Sequence, residues 1–312
     1  MADFLNDFIE GLEDHPKRIS SKYLYDDVGS AIFQEIMHMP SYYLTDCELE
    51  IFKTQSKQIV EQITWKEKFK VIELGAGDGS KTSYLIKQLI EADLNFEFKP
   101  IDISEAANTE LCSNLKKQFP TLEVTPETGD YFKILKDQKF SDAPILLLFL
   151  GGNIGNYGKK DAINLLRLFS NNLKSGDLLL LGADLMKNPL IIHQAYQDSF
   201  GITKRFNLNL LNRANRELGA DFQLDYFDFY CYYNPENGDL RSYLISLRDQ
   251  KVFIEKANKT IHFKWNEIIW TERSRKYSLD DLIEMGEQGG FKSVKQFLDC
   301  KHYFTDNLFI KS

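Results

Sequence analysis

Residues 48–62, ELEIFKTQSKQIVEQ, carry Leu49, Ile51, Phe52, Ile59 and Val60 at spacings that predict an amphipathic helix. The pattern then changes. A short apolar run (Val71, Ile72, Leu74) enters a glycine-rich turn and continues into a segment with Tyr84, Leu85, Leu89 and Ile90 on one helical face. That strand–turn–helix order opens a βαβ unit. The alternation repeats: a strand over 96–104, a helix over Glu105–Gln118, a strand with a loop over 122–131, and a continuous apolar strand over 144–152. A helix over Lys160–Leu173 and another apolar strand over 177–185 follow. Near-continuous apolar strands separated by helices imply a parallel sheet covered on both faces.

Beyond residue 185 the regularity shifts. Residues 188–222 predict consecutive helices, and Tyr226 to Glu272 alternates as antiparallel strands with a turn at Asn237–Gly238. A helix over Leu279–Gln288, a Gly289–Gly290 stop and two strand-like pieces, SVKQFLD and FTDNLFIKS, close the chain. A helix, a glycine cap and a closing hairpin is how class I methyltransferase sheets commonly end. The predicted fold is therefore α/β. A Rossmann-like sheet spans 61–195 plus 280–312, and a discontinuous α+β second domain spans 1–60 plus 196–279 and caps it.

Composition narrows the partners. With 312 residues, 43% hydrophobic and 13% aromatic, the chain has ample apolar area for a core. A net charge of −8 and no dense Lys/Arg block make nucleic acid and anionic membrane poor partners. The longest apolar runs, Pro144–Leu150 and Leu178–Leu181, fall far short of the ~20 residues that span a bilayer. The acidic, amphipathic N-terminus is unlike a secretory signal. Cys47, Cys112, Cys231 and Cys300 form no CxxC pair, and the five histidines are scattered without ligand spacing, so no metal is expected. The expectation is a reduced, soluble, cytoplasmic monomer.

The chemistry concentrates at Glu73-Leu74-Gly75-Ala76-Gly77-Asp78-Gly79, on the strand-to-helix turn, where glycines let the backbone approach a ligand. Asp102 ends the next strand, placed to accept from both ribose hydroxyls, a feature common to NAD and S-adenosylmethionine sites. Gly129-Asp130-Tyr131 follows the third strand; there a carboxylate can accept from an adenine amino group and an aromatic ring can flank the base. An acidic residue at position 73 is costly beside a pyrophosphate and tolerable beside a sulfonium. Together these features favour S-adenosylmethionine over NAD.

Other segments are more particular: YLYDDVGSAIFQEIMHMPSYYLTDCELEIF (23–52), VIELGAGDGSKT (71–82), PIDIS (100–104), GDY (129–131) and FLGGNIGNY (149–157). LLLLGADLMKNP (178–189), AYQDSFGITKRFNLNLLNRANRELGADF (195–222) and TERSRKYS (271–278) continue the series. Through them the chain resembles, over nearly its whole length, the histidine-specific S-adenosylmethionine-dependent methyltransferases of ergothioneine biosynthesis. The resemblance implies S-adenosylmethionine-dependent N-methylation of the L-histidine α-amine, up to the trimethylated betaine hercynine. It makes the second domain the substrate-binding cap. It further implies that Tyr42, Asn156 and Tyr196 hold the amino acid's backbone end, that Glu272 and Ser274 hold the imidazole, and that Tyr25 lines the pocket near the amine. Gly75, Lys81, Asp102, Asp130 and Tyr131 match the family's cofactor contacts.

The residue types suit those roles. A carboxylate tail takes Tyr or Asn donors, an imidazole takes a carboxylate and a hydroxyl, and a Tyr face attracts a growing ammonium. Taken singly, each has a plainer use: Tyr42 and Tyr196 as packing, Asn156 as a turn residue, Glu272 as a solvated strand charge. The sequence also departs from the family. Gly152–Asn153 replaces the Ser–Thr that usually precedes IGN, Ser242 stands where a bulky apolar residue is expected beside the side-chain pocket, and the stretch between Lys276 and Asp280 differs. The alternatives are the same chemistry on another amino acid of tryptophan type, or a non-catalytic binder of amino acid or cofactor.

Overall fold

Strands that are apolar on both faces need cover on both sides. In the computed structural model, which describes residues 2–137 and 143–312, Ile145–Phe149 and Leu178–Asp184 are buried at every position. They lie at the centre of an eight-stranded sheet. From one edge the order is Phe291–Leu298, Phe304–Lys311, Leu178–Asp184, Ile145–Phe149, Phe69–Leu74, Phe96–Asp102 and Glu123–Val124, with Glu127–Thr128 also paired to Phe96–Asp102. Phe304–Lys311 runs antiparallel to both its neighbours; the other pairings are parallel. The order reverses between Phe69–Leu74 and Ile145–Phe149, which opens a crevice beyond the carboxyl ends of those strands. The strand with a loop expected over 122–131 is two short strands on either side of Pro126, which has no N–H for the ladder.

The core joins Leu147, Phe149, Leu179 and Leu181 of the sheet to Leu165, Leu166 and Phe169 of the Lys159–Asn172 helix. Leu282 and Met285 of Leu279–Gln288 complete it.

The chain divides into two units, Met1–Tyr43 with Lys187–Arg275, and Leu44–Met186 with Lys276–Ser312. These bounds differ from those expected at 60/61, 195/196 and 279/280. The helix predicted over 48–62 spans Tyr43–Val60, and from Leu44 it belongs to the sheet unit. Leu44, Cys47, Ile51, Phe52 and Ile59 form its buried stripe, and Gln55 Nε2 donates to Leu298 O at 2.7 Å. Lys276 and Tyr277 also belong to the sheet unit: Tyr277 N donates to Asp184 O at 2.9 Å, and Met186 N donates to Tyr277 O at 2.8 Å.

The other unit has a four-stranded sheet in the order Lys17–Arg18, Ile268–Arg275, Asp239–Ser246, Phe227–Asn234, antiparallel apart from the first pair. The expected turn at Asn237–Gly238 joins the last two strands in space, with Asn237 Oδ1 accepting from Asp239 N at 3.0 Å. Of the consecutive helices expected after residue 187, Pro189–Tyr196 and Ile202–Leu218 form. The second contributes Phe206, Leu210, Leu211 and Ala214 to a core shared with Phe4, Phe8, Leu244 and Ile269. Among the described residues no helix is long and apolar enough to cross a membrane.

Candidate active site

The sheet unit carries one set of predicted residues at the crevice. After Phe69–Leu74 the chain turns through Gly75, Gly77 and Gly79 at φ of +73°, +55° and +67°, where a Cβ would be strained, and then enters the Thr82–Glu91 helix. A Cβ at Gly77 would meet no atom within 4 Å, so there is room above the turn. Asp102 leans over it: one carboxylate oxygen accepts from Ser104 N at 3.0 Å, and the other lies 3.4 Å from Gly77 N. Beside it Ile103 is 75% exposed and offers a flat ring an apolar surface. The open turn, the carboxylate and the apolar side chain together fit an adenosyl group.

Asp130 has structural work as well. Its Oδ1 accepts from Phe132 N at 2.8 Å and so starts the Tyr131–Asp137 helix. Gly129 N donates to Asp102 O at 2.9 Å, which ties the two acidic loops together. The Tyr131 hydroxyl lies 2.9 Å from that of Tyr157, and burial raises both phenols above their ordinary range. Lys81 Nζ is ion-paired to the buried Glu48. Glu73 does not face the crevice: it is 3% exposed, accepts from Thr82 Oγ1 at 2.8 Å, and desolvation pushes its carboxyl up to about 8. Asn156 is half-buried on the Asn153–Asn156 turn, and its side chain makes no hydrogen bond among the described residues. The Asn153 amide, expected as a change near the amine-binding end, donates to Leu150 O at 3.0 Å and braces its own loop.

The other unit gathers Tyr25, Tyr42, Tyr196, Glu272 and Ser274. Glu272 and Ser274 alternate on the Ile268–Arg275 strand and so share a face. Ser274 Oγ lies 2.8 Å from the Tyr196 hydroxyl, and the Tyr196 and Tyr42 rings meet edge to face at 6.0 Å. Tyr25 packs edge-on against Phe33 and Phe206 at 5.3 and 5.4 Å. Over a third of its surface is open. Desolvation first, then the charge of Glu272 and the neighbouring Tyr42 and Tyr196, hold that phenol well above its ordinary range. Ser242 pairs with Glu272 across the ladder; it is wholly buried, and its hydroxyl has no partner among the described residues.

Much of the distinctive 195–222 segment braces this unit. Asp26 accepts from Gly29 N at 2.7 Å, Asn209 Nδ2 at 2.8 Å and Arg216 at 2.5 Å, which fixes the turn after Tyr25. Asn207 Oδ1 accepts from Thr271 Oγ1 at 2.6 Å, one residue before Glu272. Sequence reasoning missed three buried polar groups: Glu48, Asp306 and the Lys276–Asp184 ion pair at 2.7 Å. Their signal is a charged residue inside an otherwise apolar stripe or strand. It also missed a grouping of Glu50, Asp299 and Cys300, whose donor atoms lie within 4.8 Å of one another. Those groups are already engaged: Asp299 accepts backbone N–H groups of Lys301, Tyr303 and Phe304, and Cys300 donates to Glu50.

A parallel sheet closed by an antiparallel hairpin, with a glycine turn after its first strand and a carboxylate ending the second, defines a Rossmann-like class I methyltransferase. Residues 4–311 match the family of SAM-dependent, histidine-specific methyltransferases, and the chain belongs to that family. Its cofactor is S-adenosyl-L-methionine. The chain is 30% identical over 300 residues to the histidine N-alpha-methyltransferase of Mycolicibacterium smegmatis, covering 95% of this chain and 89% of that one. It is 30% identical over 298 residues to ergothioneine biosynthesis protein 1 of Schizosaccharomyces pombe, covering 92% of this chain and 38% of the other. An L-tryptophan methyltransferase of Psilocybe serbica is 26% identical over 322 residues, covering 94% and 88%.

Proposed function

We propose that this chain methylates the α-amine of L-histidine, up to the trimethylated betaine of ergothioneine biosynthesis, as a cytoplasmic monomer acting on neither nucleic acid nor membrane. The observation that carries the reading is the Glu272–Ser274 pair, a carboxylate and a hydroxyl on one strand face with Tyr25, Tyr42 and Tyr196 close by. An imidazole offers one ring N–H to a carboxylate and one ring nitrogen to a hydroxyl, so that pair matches both of its edges. The family resemblance assigns Tyr42, Tyr196 and Asn156 to the amino acid's backbone end.

S-adenosyl-L-methionine supplies an electrophilic methyl group on a sulfonium. Gly75, Asp102, Asp130, Tyr131 and Lys81 are assigned to hold it. An α-ammonium has no lone pair, so the substrate must first lose a proton; the pKa of an α-amino group, roughly 8 in model peptides, falls when the group is desolvated. Tyr25 is the group assigned to accept or relay that proton. With its phenol held high the neutral form prevails, so the hydroxyl would take the amine's proton only while passing its own to water, and no phenolate is involved. Orientation of the amine then supplies most of the rate, because no covalent intermediate is needed. Each added methyl leaves a more cationic nitrogen, which tyrosine faces stabilise.

A second reading, methylation of a tryptophan-type substrate, is favoured by Ser242, which is smaller than the residue expected opposite Glu272. Mass spectrometry of the protein incubated with S-adenosyl-L-methionine and an equimolar amino-acid mixture separates the two. A product three methyl groups heavier than histidine supports the first reading. Methylated tryptophan with untouched histidine replaces it with the second. No methylated amino acid refutes both and leaves a larger substrate or a binding protein.

A further inference from the structure

We propose that Glu48 and Asp306 form a proton-sharing carboxyl pair that positions Lys81 and the Gly151 turn, so that both loops at the sheet's switch point stand ready for the cofactor. Glu48 lies in the buried stripe of the Tyr43–Val60 helix and is 1% exposed. One of its oxygens takes Lys81 Nζ, which follows the glycine turn of the first strand; the other accepts from Gly151 N at 2.7 Å, where the loop after Ile145–Phe149 begins. A single carboxylate thus ties together the two loops that flank the crevice.

Asp306 comes from the antiparallel Phe304–Lys311 strand, opposite Gly182 in the ladder, and is wholly buried. A Cβ on Gly182 would collide with Glu48 Oε1 and come within 3.1 Å of Asp306 Oδ1, so the glycine makes the space that both carboxyls occupy. Two buried carboxylates beside one ammonium leave an uncompensated charge, and one proton between them removes it. Both oxygens of Glu48 are already engaged, by Lys81 Nζ and by Gly151 N. Neither oxygen of Asp306 has a hydrogen-bond partner among the described residues unless it carries the proton itself. Its surroundings agree: desolvation, then the charge of Glu48, raise the Asp306 carboxyl well above the ordinary range. Lys81 remains charged; burial works against it, but Glu48, with Asp306 and Glu73 beyond, holds its ammonium above the usual value. Asp306 and Glu48 are positioning residues that act through Lys81 and the Gly151 backbone.

The inference rests on the cofactor assignment of Lys81 and the glycine turn, and its test has one arm that does not. Infrared spectra of Glu73→Gln and of Glu73→Gln/Asp306→Asn at neutral pH are compared for the carbonyl stretch of a protonated carboxylic acid, because Glu73 is itself a buried acid that would carry such a band. Loss of the remaining band in the double variant is expected; an unchanged band, or its absence from Glu73→Gln, overturns the pair. Calorimetric S-adenosyl-L-methionine binding forms the second arm. Asp306→Asn keeps a donor toward Glu48 and should bind within about threefold of the wild type, whereas Asp306→Ala and Glu48→Gln should bind roughly tenfold or more weakly. Equal loss in Asn and Ala variants, or full affinity in Glu48→Gln, refutes the positioning role. Because neither arm uses an amino-acid substrate, failure of the histidine assignment leaves both readable.

Discussion

Glu73→Gln should make the stability of this protein much less sensitive to alkali. The folded Glu73 carboxyl is pushed from 4.5 to about 8 by desolvation, against the Thr82 hydrogen bond and the charge of Lys81. Between those values the chain takes up a proton when it folds. A folded value above the unfolded one means that stability is complete below about pH 4.5 and is lost as pH rises through 8. The loss is about 1.4 kcal/mol per pH unit, with a ceiling on the order of 5 kcal/mol. Gln is neutral throughout and removes that slope. It also puts an amide N–H where Glu73 Oε2 has no partner, a constant cost of about 1–3 kcal/mol. The variant should therefore be the less stable protein near pH 5 and the more stable one by about pH 8. Urea unfolding of both proteins across that range measures the difference, which should climb by about 1.4 kcal/mol per unit. A difference that stays flat with pH would mean that Glu73 is ionised in the fold, and the reasoning would fail.

Three further substitutions probe the substrate residues and their support. Glu272→Ala removes the charge-assisted bond assigned to the imidazole and should raise the KM for histidine by about 10- to 100-fold, with calorimetric cofactor affinity unchanged. Tyr25→Phe keeps the ring packed against Phe33 and Phe206 and removes the hydroxyl; kcat should fall by about a hundredfold, and unaltered turnover would remove the proton-relay role. Gly29→Ala drives a Cβ into Leu24 O at the turn after Tyr25 and should cost about 1–3 kcal/mol in urea unfolding.

The sheet was legible because its strands advertise themselves. Val71–Leu74 running into a glycine turn, and apolar runs at 145–149 and 178–181, have one physical use. The 123–128 region was harder to read, since Pro126 interrupts the ladder while its neighbours keep a strand-like pattern. Unit boundaries were harder still, because the stripe on the Tyr43–Val60 helix says that it packs without saying against what. Among the candidate residues, Asp102 at a strand end follows from a local rule, whereas Glu272 and Ser274 came only through the family resemblance, and their two-residue spacing adds no more than a shared strand face. Glu48 and Asp306 are 258 positions apart and meet only through the sheet order, although a carboxylate amid Leu44, Cys47, Ile51 and Phe52 was a visible anomaly. Asp130 shows the converse: its position in GDY was plain, but its work as a helix cap appears only with the fold.

The antiparallel strand Phe304–Lys311 has a consequence for how the chain is made. It sits between Phe291–Leu298 and Leu178–Asp184, so neither can be fully paired until these late residues have left the ribosome. During synthesis the leucine-rich 178–184 strand waits with an open, apolar edge while all of residues 187–275 are translated. Chaperone demand should therefore be set by this interval, and nascent chains cut before residue 304 should aggregate even though the cofactor turn and its acidic neighbours are already present.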